Sequence, residues 1–270
     1  MPKSTHFVAS KPAEARAWWE LLSPRGTFGN ASLAASTVLS FATSPRWQGL
    51  IRASAAKHGA TWLHELHLSI AVADAGDFAA AVRHGRASVA LKPTALGYRN
   101  LAVLGPAATR FDSYGRAWQV ALASGGGAAG DAPGKASAGL QFRRNLASEI
   151  TQAMLADGNM TRLGAFVKAL ETDYEREADL VVKARVAVAI ADGETAAARA
   201  LLATHAFPTM SCYRDDVVGL WDLAWWADEE ARLKRPLTTV EKHRVRKAHP
   251  PLPQFGARPE WPNAGGRKAV

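Results

Sequence analysis

Two histidines in the first half of the chain have a spacing close to that of a zinc-protease helix. His64 and His67 flank Glu65, with His84 further along the chain as a third candidate ligand. A zinc-protease helix places its histidines four residues apart so that both imidazoles reach one metal ion, and this segment is one residue short. Histidines with ordinary structural partners fit the pattern better. We therefore predict no metal site and no cofactor.

Two other segments come close to phosphate-binding and nucleophilic motifs without meeting their requirements. Residues 130–135 contain the glycines and the lysine of a phosphate loop, but Ala129 and Ala136 stand where that loop needs Gly and Ser or Thr. Cys212 is close to Arg214, which could lower the pKa of the thiol, but no histidine has a sequence context that makes it the base. We predict that the chain is not an enzyme.

Positive charge is concentrated at one end of the sequence. The formal net charge is +9, and residues 232–270 contain 10 Lys and Arg against 2 Asp and Glu. A basic segment of this kind attracts phosphates or acidic partners, or is simply a solvated terminus. On a helix that begins near Thr239, Lys242 and Arg246 would share one face. The candidate basic residues are Lys234, Arg235, Lys242, Arg244, Arg246 and Lys247.

The composition predicts an all-α protein. The chain is 48% hydrophobic, rich in Ala, and has four Tyr; Ala has the highest helix propensity and lets helices approach closely. The longest apolar run, residues 186–191, is too short to span a bilayer, and residues 1–12 lack the apolar stretch of a signal peptide. The single Cys212 excludes an intrachain disulfide. These features favour a cytoplasmic protein.

Turn residues divide the middle of the chain into helical hairpins. Gly76 separates apolar runs over residues 63–75 and 78–91. Further turns are predicted at Gly158 and Gly193, 35 residues apart, which is close to the tetratricopeptide period of about 34 residues. We predict four degenerate hairpins in a tetratricopeptide-like α-solenoid, with helical additions at both ends. A second hairpin turns near Gly105 and departs from the pattern at the following proline.

This spacing predicts a chain of four parts. They are an N-terminal helical segment (1–60), degenerate repeats (61–207) that contain a Gly-rich loop (124–137), C-terminal capping helices (208–253) and a tail with little order (254–270). In the capping helices, Trp221 and Trp225 fall on the apolar stripe and Trp226 falls beside it. Thr238 and Glu241 have the spacing of a capping box that would begin the last helix.

Three segments, taken in order, resemble a known family. They are residues 61–64 running into 99–102, residues 214–222, and residues 235–238 through 249–253. They are similar to the tetratricopeptide-like C-terminal region of large uncharacterised bacterial proteins that carry an N-terminal galactose-mutarotase-like domain. The β-sandwich that precedes the helices in those proteins has no counterpart in this sequence. The resemblance therefore implies the helical region without the carbohydrate-handling active site.

The repeat pattern and the resemblance together predict a non-catalytic scaffold for protein–protein interaction, related to the tail region of a carbohydrate-metabolism protein. The alternative is a weak binder of nucleic acid or another anionic surface through the basic C-terminal helix. The predicted partner is a protein, with nucleic acid less favoured and no membrane. The residues predicted to line the groove are Leu63, His67, Ile70, Arg99 and Val103.

Overall fold

The computed structural model of the chain describes residues 12–34, 40–124, 138–174, 178–207, 211–249 and 252–255. All regular secondary structure in these ranges is helical, which confirms the all-α prediction. The described residues form two compact units, an N-terminal unit that ends at Arg143 and a C-terminal unit that begins at Arg144. No helix among the described residues is long and apolar enough to cross a membrane.

The described part of the N-terminal unit before residue 125 contains seven α-helices. A short 3-10 turn, Ala107–Thr109, precedes the last of them. The helices are α1 (Pro12–Leu22), α2 (Asn30–Ala34), α3 (Pro45–His58), α4 (Trp62–Asp74), α5 (Phe78–Leu91), α6 (Ala95–Leu104) and α7 (Arg110–Ala123).

Helices α4 and α5 form the hairpin predicted around Gly76. Gly76 has a φ of 88°, a conformation that glycine adopts without a steric penalty. The Asp77 side chain then accepts a hydrogen bond from the backbone N–H of Ala80 at 2.9 Å and begins α5. Two buried serines join the helices, because Ser69 donates to the carbonyl of Ala81 and Ser88 donates to the carbonyl of Trp62, each at 2.8 Å.

Helix α6 packs closely against α5 because small residues face it. A Cβ at Gly97 would lie 2.7 Å from Cγ1 of Val89 and 2.8 Å from Oγ1 of Thr94. A Cβ at Gly85 would lie 2.9 Å from Cδ2 of Leu101. Both glycines are therefore packing residues, because a larger side chain at either position would meet its neighbours on the facing helix.

The core of the N-terminal unit joins α4 to the elements that precede it. The indole N–H of Trp62 donates a hydrogen bond to the backbone carbonyl of Leu33 at 3.1 Å, which joins α4 to the end of α2. The buried apolar residues of this cluster are Trp18, Leu21, Phe28, Ile51, Trp62, Leu63, Leu66 and Leu68.

Six further α-helices are described from residue 138 onward. The division between the units falls within the first of them. Glycines with positive φ form turns at Gly158 (68°) and Gly193 (79°), as predicted. The helices are α8 (Ala138–Ala156), α9 (Met160–Asp173), α10 (Asp179–Ala191), α11 (Thr195–Thr204), α12 (Ser211–Leu233) and α13 (Thr239–Ala248), and a 3-10 turn (Pro253–Phe255) follows.

Helix α10 is the central element of the C-terminal unit, since it packs on α9, α11 and α12. Helix α12 contacts α10 and α11, and it also contacts α13. Its apolar stripe is buried at Val217, Val218, Leu220, Trp221 and Ala224. Trp225, predicted to lie on the same stripe, is half-buried. Asp222 and Glu230, which lie beside this stripe, pair with basic residues of α13.

Parts of the predicted organisation fall outside the described residues. Beyond Ser124, the Gly-rich loop at 124–137 lies outside them, and so does the tail from residue 256. The division between compact units falls between Arg143 and Arg144. The four-part organisation stays a prediction.

Candidate nucleic-acid interface

Helix α13 carries most of the candidate basic residues, and a capping box begins it. Oγ1 of Thr238 accepts a hydrogen bond from the backbone N–H of Glu241 at 3.3 Å. In return, a carboxylate oxygen of Glu241 accepts from the backbone N–H of Thr238 at 2.9 Å. The predicted capping box is therefore present, and it fixes where the helix begins.

Arg235 is held by the same carboxylate. Its two terminal nitrogens lie 2.9 Å and 2.6 Å from the two oxygens of Glu241, the fork geometry that suits guanidinium and carboxylate. The hydrogen bond from Arg235, followed by those from Thr238, holds the pKa of Glu241 well below its ordinary value. The charge of Arg235 is therefore balanced locally, although its side chain is exposed.

The inward face of α13 is formed by residues at i, i+3, i+4 and i+7. Lys242, Val245, Arg246 and the C-capping His249 share it. Nε of Arg246 lies 2.9 Å from a carboxylate oxygen of Asp222 on α12. The two side chains are only 9% and 1% exposed, so this ion pair is shielded from solvent and serves to hold α13 on α12.

An aromatic stack completes the attachment of α13. The imidazole of His249 lies over the indole of Trp225 with ring centroids 3.8 Å apart and planes inclined by 10°. The guanidinium carbon of Arg199, on α11, lies 4.0 Å from the Trp225 ring. Two planar groups do not fit side by side over one ring at these distances, so they occupy opposite faces. The stack links α11, α12 and the end of α13.

Lys242 is also engaged by α12. Its Nζ lies 5.3 Å from the ring centre of Trp226 and 4.0 Å from a carboxylate oxygen of Glu230. The indole N–H of Trp226 donates to the backbone carbonyl of Lys242 at 3.0 Å. Trp226, which the sequence places beside the apolar stripe of α12, is therefore half-buried against α13.

The outer face of α13 consists of Val240, His243, Arg244 and Lys247, again at i, i+3, i+4 and i+7. All four are exposed, and Val240 is 69% exposed. Lys234, at the end of α12, is exposed as well. Among the described residues, no carboxylate lies within ion-pair distance of Lys234, Arg244 or Lys247. These three cations are available to an anionic ligand.

The structure therefore divides the six predicted basic residues into two sets of three. Arg235, Lys242 and Arg246 have carboxylate partners within the chain. Helical geometry does put Lys242 and Arg246 on one face, as predicted, but that face packs on α12. The sequence indicates which face packs on α12, because the apolar Val245 lies between Lys242, Arg246 and His249 on that face. The binding role of the six stays a prediction.

The five predicted groove residues lie in different environments of the N-terminal unit. Leu63 and His67 are buried in its core, so neither is at the surface. Ile70 and Arg99 are half-buried, and a terminal nitrogen of Arg99 donates to the side-chain oxygen of Asn100 at 3.3 Å. Val103 is 45% exposed. Partner binding by this set stays a prediction.

His64 and His84, two of the three histidines considered as metal ligands, have separate partners. His64 accepts from the backbone N–H of Thr61 at 3.2 Å, and its other ring nitrogen lies 2.9 Å from Oγ of Ser54. His84 pairs with Glu65 at 2.6 Å. Within the described part of the chain, no group of three or more His, Cys, Asp or Glu residues could hold a metal ion.

Comparison with known families identifies one similarity. Residues 142–254 match the family described as "Transcriptional regulator, SIX1, N-terminal SD domain". The match covers less than half of the 270 residues. It begins two residues before the C-terminal unit and ends within the 3-10 turn that follows α13. No curated protein and no solved structure matches the chain.

This match corrects the family expected from short motifs. The matched family is one of transcriptional regulators and not of enzymes. The resemblance to bacterial galactose-mutarotase-like proteins is therefore wrong, and so are the bacterial and carbohydrate-related assignments and the carbohydrate-related scaffold function that followed from it. Segments of four to nine residues carried that resemblance, and helix caps and turns produce such segments in unrelated helical proteins.

Proposed function

We propose that this chain is a non-catalytic regulator of transcription whose C-terminal unit attaches to the phosphate backbone of nucleic acid. The observation that carries the proposal is the match of residues 142–254 to a transcriptional regulator domain, since this range contains nearly all of the described C-terminal unit. The exposed cations of the outer face of α13 and Lys234 support the same function. Of the two functions predicted from the sequence, nucleic-acid binding is therefore better supported than the carbohydrate-related scaffold.

The three available cations define the kind of binding to expect. Each phosphate that a protein cation neutralises on duplex DNA releases counterions and contributes about −0.9 to the slope of log K against log salt. Lys234, Arg244 and Lys247 together would give a slope of about −3. The outer face of α13 has no Asn or Gln and no pair of arginines that could form bidentate hydrogen bonds to base edges. The attachment is therefore weak and independent of the nucleotide sequence.

The direct test measures DNA affinity by fluorescence anisotropy. The full chain is titrated into a fluorescein-labelled 20-base-pair duplex at 25 mM KCl. We expect measurable binding that the double variant Arg244→Ala/Lys247→Ala weakens by several fold. The matched control is Arg52→Ala/Lys57→Ala, which removes one exposed Arg and one exposed Lys from α3 of the N-terminal unit. Absence of binding at this low ionic strength, or equal losses in the two double variants, contradicts the proposal.

The finer repeat architecture is also a proposal. We infer that α4–α5, α6–α7, α8–α9 and α10–α11 are four degenerate tetratricopeptide-like hairpins. The support is the glycine turns at Gly76, Gly158 and Gly193 and the 35-residue spacing of the last two. A protein partner, predicted from the sequence, stays part of the proposed function beside nucleic acid. The proposed function places the protein in the compartment that holds the DNA. The cytoplasmic location expected from the sequence composition stays a prediction.

A further inference from the structure

His67, on α4, is a buried histidine without a hydrogen-bond partner. It is 1% exposed, and neither of its ring nitrogens bonds to another group in the part of the chain that the structure describes. Three aromatic rings surround it, with centroids 4.5 Å away at Trp18, 5.6 Å at Phe28 and 5.5 Å at Phe41. An imidazole in such surroundings is uncharged, because nothing replaces the water that would solvate the imidazolium.

The neighbouring His64 shows the contrast. Both of its ring nitrogens have partners, at Thr61 and Ser54. Burial, with a smaller contribution from His64, lowers the pKa of His67 to about 3. The packing of α4 therefore depends on His67 staying neutral.

The segment between Glu20 and Glu65 contains no carboxylate that could stabilise a charge on His67. Residues 21–64 contain no Asp or Glu. On α1, Glu20 accepts a hydrogen bond from the backbone N–H of Gly29 at 2.9 Å, and on α4, Glu65 is paired with His84. The other charged groups on the elements before α4 are Glu14 and the basic residues Arg16, Arg25, Arg46, Arg52, Lys57 and His58.

Among the described residues, the aromatic rings in contact with His67 belong to segments that precede α3. Trp18 belongs to α1, Phe28 precedes α2, and Phe41 precedes α3. We name Trp18, Phe28 and Phe41 the aromatic cover. The α4–α5 contact is held separately by the serine bonds to Ala81 and Trp62. A charge on His67 therefore acts on the aromatic cover and leaves the α4–α5 hairpin intact.

We propose that protonation of His67 in mildly acidic solution releases the aromatic cover from α4 while the α4–α5 hairpin stays folded. The released state exposes the imidazole to water, where it takes up a proton at its ordinary pKa. Lowering the pH below about 6.5 therefore shifts the equilibrium toward release. This inference concerns the N-terminal unit and goes beyond the proposed function of the C-terminal one.

Hydrogen exchange measured by mass spectrometry on the full chain tests this proposal. After correction for the intrinsic exchange rates, peptides from residues 12–34 and 40–44 are compared at pH 7.5 and pH 5.0. Linkage predicts that their opening equilibrium rises roughly 30-fold between these pH values, while peptides from 78–91 stay protected. Equal protection of the first set at both pH values, or equal loss in the two sets, overturns the proposal.

Two variants show whether His67 is the responsible group. His67→Phe keeps a ring in the aromatic cluster but cannot titrate, and His67→Asn provides a polar, non-titrating alternative if the first variant does not fold. In either variant we expect the pH-dependent rise in opening to shrink to a few fold. The matched control is the exposed His58→Phe, which keeps the full effect. A full 30-fold rise in a folded His67 variant assigns the effect to another group and overturns the proposal.

Discussion

At the scale of single residues, burial decides which charges hold the fold and which are available to a ligand. Arg244 and Arg246 are two residues apart on α13. The side chain of Arg246 is 9% exposed and lies against Asp222, whereas that of Arg244 faces solvent. Sequence alone treats the two arginines alike. The difference follows from the helical register, which turns positions 242, 245, 246 and 249 toward α12.

The buried pair of Asp222 and Arg246 gives the first prediction. Replacing Asp222 with Ala removes the buried carboxylate that lies 2.9 Å from the Arg246 guanidinium, so the free energy of unfolding should fall by about 3–5 kcal/mol. Urea unfolding followed by circular dichroism at pH 7 measures the loss. The double variant Asp222→Leu/Arg246→Met should recover most of it, because no lone charge remains. A loss below about 1 kcal/mol in Asp222→Ala would show that the pair is solvated.

Glu241 gives a prediction about pH. Its pKa is depressed in the folded chain, first by Arg235, so its stabilising effect is complete above the ordinary pKa of 4.5 and decreases as the pH falls below that value. The wild-type chain should therefore exceed Glu241→Gln in stability by more at pH 7 than at pH 3. The midpoint of urea unfolding at both pH values measures this. An equal stability difference at pH 7 and pH 3 would mean that the charge of Glu241 does not stabilise the fold.

At the scale of elements, the sequence predicts where helices begin and end better than what their faces contact. The turns at Gly76, Gly158 and Gly193 and the cap at Thr238 depend on local backbone chemistry, and each is where the sequence puts it. The aromatic cover of His67 depends on contacts between residues more than twenty positions apart. No local pattern specifies such contacts, and so the sequence places His67 in a groove whereas the structure buries it.

The contact between α5 and α6 gives the third prediction. Gly97→Ala would place a Cβ 2.7 Å from Cγ1 of Val89, closer than van der Waals contact allows. The branched Val89 has few alternative rotamers on a helix. We expect a net loss of about 1–2 kcal/mol, although Ala favours the helical backbone by nearly 1 kcal/mol.

Gly115→Ala on α7 is the matched control for this packing effect. A Cβ at Gly115 meets no heavy atom within 4 Å. This variant should therefore be neutral or slightly more stable than wild type in the same urea experiment. Equal behaviour of the two variants would show that α5 and α6 are not closely packed at Gly97.

At the scale of the whole molecule, charge and family similarity both concern the C-terminal part of the chain. Residues 232–270 carry most of the net positive charge, and residues 142–254 match the transcriptional regulator domain. Charge location could be read from composition. The family could not be predicted from short motifs, because the similarity is distributed over more than a hundred positions.

The fourth prediction separates two sources of positive charge in that region. Deleting residues 256–270 removes Arg258, Arg267 and Lys268 but keeps Gln254, whose side-chain amide donates to the carbonyl of Leu202 at 2.9 Å. If the outer face of α13 and Lys234 hold the phosphates, the shortened chain should keep a salt slope of about −3 for duplex DNA. Adding Arg244→Ala and Lys247→Ala to it should then reduce the slope by about 2. A slope near zero after the deletion alone would place the attachment in residues 256–270, and the outer face of α13 would not be the interface.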